Sequence, residues 1–217
     1  MGINCVNAYL LKEQKLKTCS YVFDWTLLKD IEAVIMSVKD DFKEILDQTK
    51  YIPLKKLWKG RDVGRCGHSS LPNCEQLFFH NDPRTDEGYA YLNRCVDRFR
   101  KVLKKREPKL FTVFSFGGSK NPRPLGDQII KLNEVLSKIT ENYYIMSMNH
   151  QYTKPGEYPR RGIPHNIEWN ENIVNIDVFP KKGLNKKGNR YQRNDDRKRQ
   201  QIPFFKTFDF DIIDDIK

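Results

Sequence analysis

Nothing in the 217 residues approaches the roughly 18 uncharged apolar residues in a row that a membrane-spanning helix needs. The opening Met1-Gly2-Ile3-Asn4-Cys5 has no basic stretch followed by an apolar run, so no secretory signal is expected. Val6 stands where the myristoylation pattern wants Ser or Thr, which removes that anchor. Cysteines are few, 5 in all, odd in number and scattered (Cys5, Cys19, Cys66, Cys74, Cys95). That usage excludes a disulfide scaffold and fits a reduced, intracellular, cytoplasmic protein. There is no internal repeat. Neither G-x-G-x-x-G nor a P-loop occurs, and no motif calls for a cofactor or a resident metal.

What is present is enough to fold. Hydrophobic residues make up 38% and aromatics 12%, which argues against wholesale disorder. The net charge of +11 is uneven, because residues 181–200 hold nine Lys/Arg against two Asp. That run, KKGLNKKGNRYQRNDDRKRQ, has almost nothing to bury and reads as a flexible basic segment. It suits weak contact with nucleic acid or another anionic surface. The expected organisation is therefore a single α/β domain over 1–180, the basic segment 181–200, and an apolar C-terminal piece, 201–217, docking on the domain.

Periodicity sets out the elements. A short helix is expected from Asn4 to about Lys15. Leu28, Ile31, Val34, Ile35, Val38, Phe42, Ile45 and Leu46 recur at threes and fours, predicting one long amphipathic helix. Tyr51 to Gln76, broken by Pro53, Gly60, Gly64, Gly67 and Pro72, reads as a long connection. Leu92, Cys95, Val96, Phe99, Val102 and Leu103 mark a further helix ending before Pro108, with Arg94, Arg98, Arg100, Lys101 and Lys104 on its basic side. Leu110–Phe116 is β-branched and aromatic, a buried strand; a helix over Asp127–Ile139 and strands over Tyr143–Met148 and Ile173–Phe179 follow. Strand, helix, strand predicts parallel pairing by a right-handed crossover, hence an α/β, Rossmann-like parallel sheet with flanking helices.

Several short motifs come in a telling order: Gly2-Ile-Asn-Cys5, Ala8 and Leu11, Ser20-Tyr-Val-Phe-Asp-Trp25, Phe78-Phe-His80 with Asp82, Arg98-Phe99, then the strand Leu110–Phe116. In these residues the chain resembles a family of bacteria and large DNA viruses labelled papain-like cysteine peptidase. The likeness covers residues 2–116 and extends more loosely to Val178. It implies a thiol-dependent hydrolase or acyl-transfer protein, working in a cell or a virus-infected host. In the family a hydrophobic strand runs into the Gly-x-x-Cys turn; this sequence begins at the turn, so the first strand is expected to be missing. Val22 replaces the family's Pro before Phe-Asp-Trp, and His80-Asn81-Asp82 spreads its His-Asp pair.

The chemistry implied is nucleophilic. Cys5 precedes a helix, whose free N–H groups favour thiolate. His80 would act as its base, with Asp24 or Asp82 holding the imidazole tautomer, and backbone N–H groups after Cys5 would offer an oxyanion site. The bland alternative has Cys5 as a small buried residue, Asp24 as the N-cap of a helix starting near Thr26, and His80 bonded locally. Trp25 is expected to be mostly buried.

Other readings compete. An open α/β sheet binds phosphates where helix N-termini meet strand carboxyl ends, and Gly117-Gly118-Ser119-Lys120 follows a strand there. A phosphate- or nucleotide-sugar-binding, glycosyltransferase-like protein is therefore the alternative to the hydrolase, with a non-catalytic interaction module behind it. Cys66, His68, Cys74 and His80 would also supply four soft zinc ligands, at a spacing that matches no C-x2-C knuckle.

Overall fold

The structure is a computed structural model that describes residues 5–54, 66–75, 77–78, 80–116, 126–150 and 165–178. The Gly117–Lys120 turn, the basic segment and the 201–217 piece lie outside the described residues. In order the elements are α1 (Val6–Glu13), α2 (Glu32–Lys39), β1 (Tyr51–Pro53), β2 (Cys66–His68), α3 (Asp86–Lys104), β3 (Lys109–Phe116), α4 (Gly126–Leu136), β4 (Tyr143–His150), β5 (His165–Asn170) and β6 (Ile173–Val178). No helix among the described residues is long and apolar enough to cross a membrane.

The architecture is mixed α/β. The main sheet has the order β3-β4-β6-β5, with β3, β4 and β6 parallel as the strand–helix–strand pattern predicts. It is not all parallel. β5, absent from the sequence reading, runs antiparallel to β6 at the edge, and the two join through Glu171 and Asn172. Glu171 takes a left-handed φ of 48°, and the Asn172 carbonyl accepts from the Ile145 N–H at 2.8 Å, anchoring that turn to β4. Alternation hid the strand, since Ile167 and Trp169 are its apolar residues and both are exposed.

The helices α2, α3 and α4 cover one face. Ile129, Leu132 and Leu136 of α4 and Val34 and Val38 of α2 share one buried cluster with Phe111, Val113, Ile145 and Ile173 of the strands. Phe99 of α3 meets Phe111 with ring centroids 5.9 Å apart. On the other face Phe114, Met146, Met148, Val174 and Ile176 are buried as a separate set. Thr112 points to this second side, opposite Phe111 and Val113, and there it holds α1. Asn7 Nδ2 donates to the Thr112 carbonyl at 3.1 Å, and Thr112 Oγ1 donates to Asn7 Oδ1 at 3.2 Å.

Two further expectations need correction. The apolar repeat Leu28–Leu46 is not one helix: α2 covers only Glu32–Lys39. A Schellman turn ends it, with Phe42 N–H bonded to the Ser37 carbonyl at 2.6 Å and Asp41 N–H to Val38 at 3.4 Å. Asp41 takes the left-handed position at φ 53°, and Arg100 of α3 grips its carboxylate and carbonyl. Phe42 and Ile45 remain in the core, so the burial pattern outlasts the helix that should carry it.

The second correction concerns Tyr51–Gln76, which is more than a connection. β1 and β2 pair antiparallel, and Phe78 bridges both Thr26 and Cys66. Gly67 is required there, since a Cβ would come within 2.5 Å of the Glu75 carbonyl oxygen.

Candidate functional site

The four residues singled out from the sequence fall into two places. Cys5 is half-buried and acts as the N-cap of α1, its carbonyl accepting from the Tyr9 N–H at 3.0 Å. Through Asn7 it belongs with β3 and the second face. Asp24, His80 and Asp82 lie instead beside the first half of α3, where Trp25, Asn81, Pro83, Gly88 and Tyr91 line one small crevice. No hydrogen bond joins Cys5 to His80.

Each carboxylate already has partners. Asp24 is 6% exposed and makes an ion pair with Lys17, itself 7% exposed, while Asp24 Oδ2 also accepts from the Tyr21 N–H at 2.6 Å. It does not cap a helix, because α2 begins eight residues later at Glu32. Asp30 is nearer that start, accepting from the Glu32 N–H at 3.1 Å and from Asn73 at 2.7 Å. Asp82 is gripped by Arg84 through contacts of 2.6 to 3.1 Å. Burial would raise its pKa, but the Arg84 hydrogen bonds and charge hold it below the ordinary carboxylate value.

The backbone of Asp82 also shapes α3. Thr85 caps that helix by accepting from the Gly88 N–H at 3.1 Å, and donates its own hydroxyl to the Asp82 carbonyl at 2.9 Å. Gly88 has no alternative, because a Cβ would come within 1.9 Å of the Asp82 carbonyl oxygen.

His80 is exposed and sets its ring edge-to-face on Trp25, centroids 5.3 Å apart at 76°. Trp25 is largely, though not fully, buried. Its N–H finds Ser20 Oγ at 3.1 Å, and the Lys17 ammonium lies 5.5 Å from its ring centre.

The remaining soft ligands are ordinary core groups. Burial pushes the Cys66 and Cys74 thiols up to about 12 and raises Cys95. His68 is buried and its pKa is lowered, chiefly by desolvation. Its Nδ1 accepts from the Leu71 N–H at 3.2 Å, so Nε2 carries the proton toward the Glu44 carbonyl at 3.0 Å. Among the described residues no three His, Cys, Asp or Glu side chains gather as metal ligands.

A different cluster, which the sequence reading passed over, lies on the helix-covered face of the sheet. Along each parallel strand that face changes from apolar to polar toward the carboxyl end: Phe111 and Val113 to Ser115, Ile145 to Ser147 and Asn149, Ile173 to Asn175. Register puts Ser147 between Val113 and Asn175, and Ser115 beside Asn149. Ser147 is fully buried and Asn149 is 8% exposed. Ser147 Oγ, Asn149 Oδ1 and Asn175 Oδ1 are buried atoms without a hydrogen-bond partner.

The two other such atoms, Asp40 Oδ1 and Thr140 Oγ1, stand singly after the ends of α2 and α4. A buried polar atom left without a partner costs about 1–3 kcal/mol, so three on neighbouring strands are not incidental. The signal was in the sequence as period-two polar residues, Ser147 and Asn149 in one strand and Asn175 in the other.

No protein-family model matches the chain, and no curated protein or solved structure matches it either.

Proposed function

We propose that this is a Rossmann-like binding protein that seats a small phosphate- or nucleotide-sugar-type ligand across the carboxyl ends of β3, β4 and β6. One observation carries the reading: the unpartnered Ser147 Oγ, Asn149 Oδ1 and Asn175 Oδ1 share one face at the end of the sheet where open α/β folds hold their ligands. α4 starts at this same end, since it must return from the end of β3 to the start of the parallel β4. Backbone and side-chain groups of both kinds therefore converge on it.

The test is a titration of isotope-labelled protein with nucleotide sugars, following amide resonances. Shifts concentrated at Ser115, Ser147, Asn149 and Asn175 support the reading. A panel of nucleotide sugars that leaves those resonances unmoved overturns it.

A second reading rests on Cys5, whose half-buried place at the N-cap of α1 differs from the buried Cys66, Cys74 and Cys95. Here the likeness to the papain-like cysteine peptidase family supplies the chemistry: a thiol-dependent hydrolase or acyl-transfer protein. With His80 brought to Cys5, the thiol would give its proton to the imidazole as sulfur attacks a carbonyl carbon; the tetrahedral intermediate would collapse by expelling the leaving group, protonated by His80, and water would then cleave the thioester. Asp24 or Asp82 would orient that ring only by giving up Lys17 or Arg84. Alkylation by iodoacetamide, mapped by mass spectrometry, tests this. Cys5 reacting fastest, and slowing in His80→Ala, supports the dyad. Equal reaction of Cys5 and Cys19, indifferent to His80, removes it.

A further inference from the structure

We infer that the group seated on Ser147, Asn149 and Asn175 is an uncharged, hydroxyl-bearing one, a sugar ring or ribose, and not a phosphate. The inference rests on the binding reading above and specifies which part of the ligand lies there. It follows from what these atoms lack. Two of the three are carboxamide oxygens, which need a donor, and the third is a hydroxyl that serves either way. The ionised diphosphate of a nucleotide sugar brings acceptors alone. A sugar hydroxyl both donates and accepts, so it satisfies either orientation of each Asn side chain, whereas that diphosphate could answer only an inward-turned NH2.

The surrounding charge points the same way. Ser115, Ser147, Asn149 and Asn175 are all neutral. The helix starts nearest this end carry carboxylates: Asp30 and Glu32 at α2, Asp127 at α4. At α2 the N–H groups are partly taken, with Asp30 accepting from Glu32 N–H and Gln128 Oε1 accepting from Ile31 N–H at 3.4 Å. Lys131, the nearby cation on α4, faces Glu32 at 3.5 Å. Among the described residues, a phosphate here would face the carboxylates of Asp30, Glu32 and Asp127.

The dimensions fit a ring. Neighbouring strands stand about 4.8 Å apart, and residues two apart on one strand about 6.7 Å. Ser147, Asn149 and Asn175 are therefore spaced on the scale of one pyranose or furanose ring.

The experiment titrates the full chain separately with methyl glucoside, uridine, inorganic phosphate and UDP-glucose. The reporters are the side-chain NH2 resonances of Asn149 and Asn175 and the Ser147 amide. Methyl glucoside or uridine, together with UDP-glucose, should move all three, and phosphate should move none. Ser147→Ala should weaken UDP-glucose binding several-fold and Asn149→Leu roughly tenfold, the scale of one or two neutral hydrogen bonds. Melting curves of both variants establish that each is folded.

If phosphate moves these resonances and the uncharged probes do not, the inference fails while the binding reading stands. If UDP-glucose binds with unchanged affinity in both folded variants, this corner is not the sugar seat and the inference likewise fails. If no probe moves the reporters, both fall together.

Discussion

Two buried polar clusters in this protein are built in opposite ways. Beside α3, Lys17 and Asp24 are almost wholly enclosed, yet each answers the other. Around them Tyr21 N–H, Trp25 N–H and the Thr26 hydroxyl all have acceptors. At the carboxyl ends of the strands the side-chain oxygens of Ser147, Asn149 and Asn175 are buried as well, and none of them has a hydrogen-bond partner. The first arrangement fixes a loop onto a helix; removing one partner leaves a charge in a poor solvent. The second weakens the isolated fold, because each unanswered oxygen has given up water for nothing in return.

The largest effect should come from opening the satisfied cluster. Lys17→Met leaves Asp24 buried and unpaired, and should lower the urea-unfolding free energy by about 3–5 kcal/mol. Adding Asp24→Leu to that variant should recover most of the loss. A single variant as stable as the parent would show that the ion pair holds nothing.

Next comes Asn7→Ala, which strips Thr112 of two hydrogen bonds at the α1–β3 contact. A loss of about 1–3 kcal/mol is expected. Local hydrogen exchange should rise in α1 before it rises in α4.

Ser147→Ala should break the pattern by sign. It removes an unpartnered hydroxyl from a fully buried position. Without ligand the fold should lose nothing and gain on the order of 1 kcal/mol, read as a raised Tm. A clear destabilisation would mean that the hydroxyl is already bonded within the fold, and would sink the comparison.

The smallest expected effect is a pH dependence at His68, a satisfied group. Burial lowers its pKa below the ordinary histidine value, so the folded state binds its proton less readily than the unfolded chain. Its contribution is complete above about pH 6.5 and is lost as the pH falls through the folded value. Stability should therefore decline from neutral pH toward pH 5, and His68→Gln should flatten that slope. A slope unchanged in the variant would assign it elsewhere.

The residues explain which features could be read in advance. Leu110–Phe116, Tyr143–Met148 and Ile173–Phe179 are dense in β-branched and aromatic residues, and their strands were legible to within a few positions. The same is true of α3, whose apolar residues keep one phase from Leu92 to Leu103. The length of α2 was not legible. Phe42 and Ile45 are as buried as a continuing helix would make them, and the break shows in the backbone, where Asp41, gripped by Arg100, and Phe42 are both left-handed. Strand β5 was hidden because its apolar residues are exposed and its hydrogen bonds go to a strand that follows it.

The candidate site divides in the same way. The polar alternation in β4 and β6 was present in the sequence, but its want of partners is a fact of burial and register, which periodicity does not carry. Asp24 stands in the sequence where a helix N-cap is expected, yet its carboxylate faces backward, to Lys17 and Tyr21. Local periodicity is enough to assign the segments that form the parallel strands and the helices over them, because it fixes what each segment can bury. Which polar groups are answered and which are left open follows from the folded arrangement, because hydrogen bonds and ion pairs are satisfied between segments far apart in the chain.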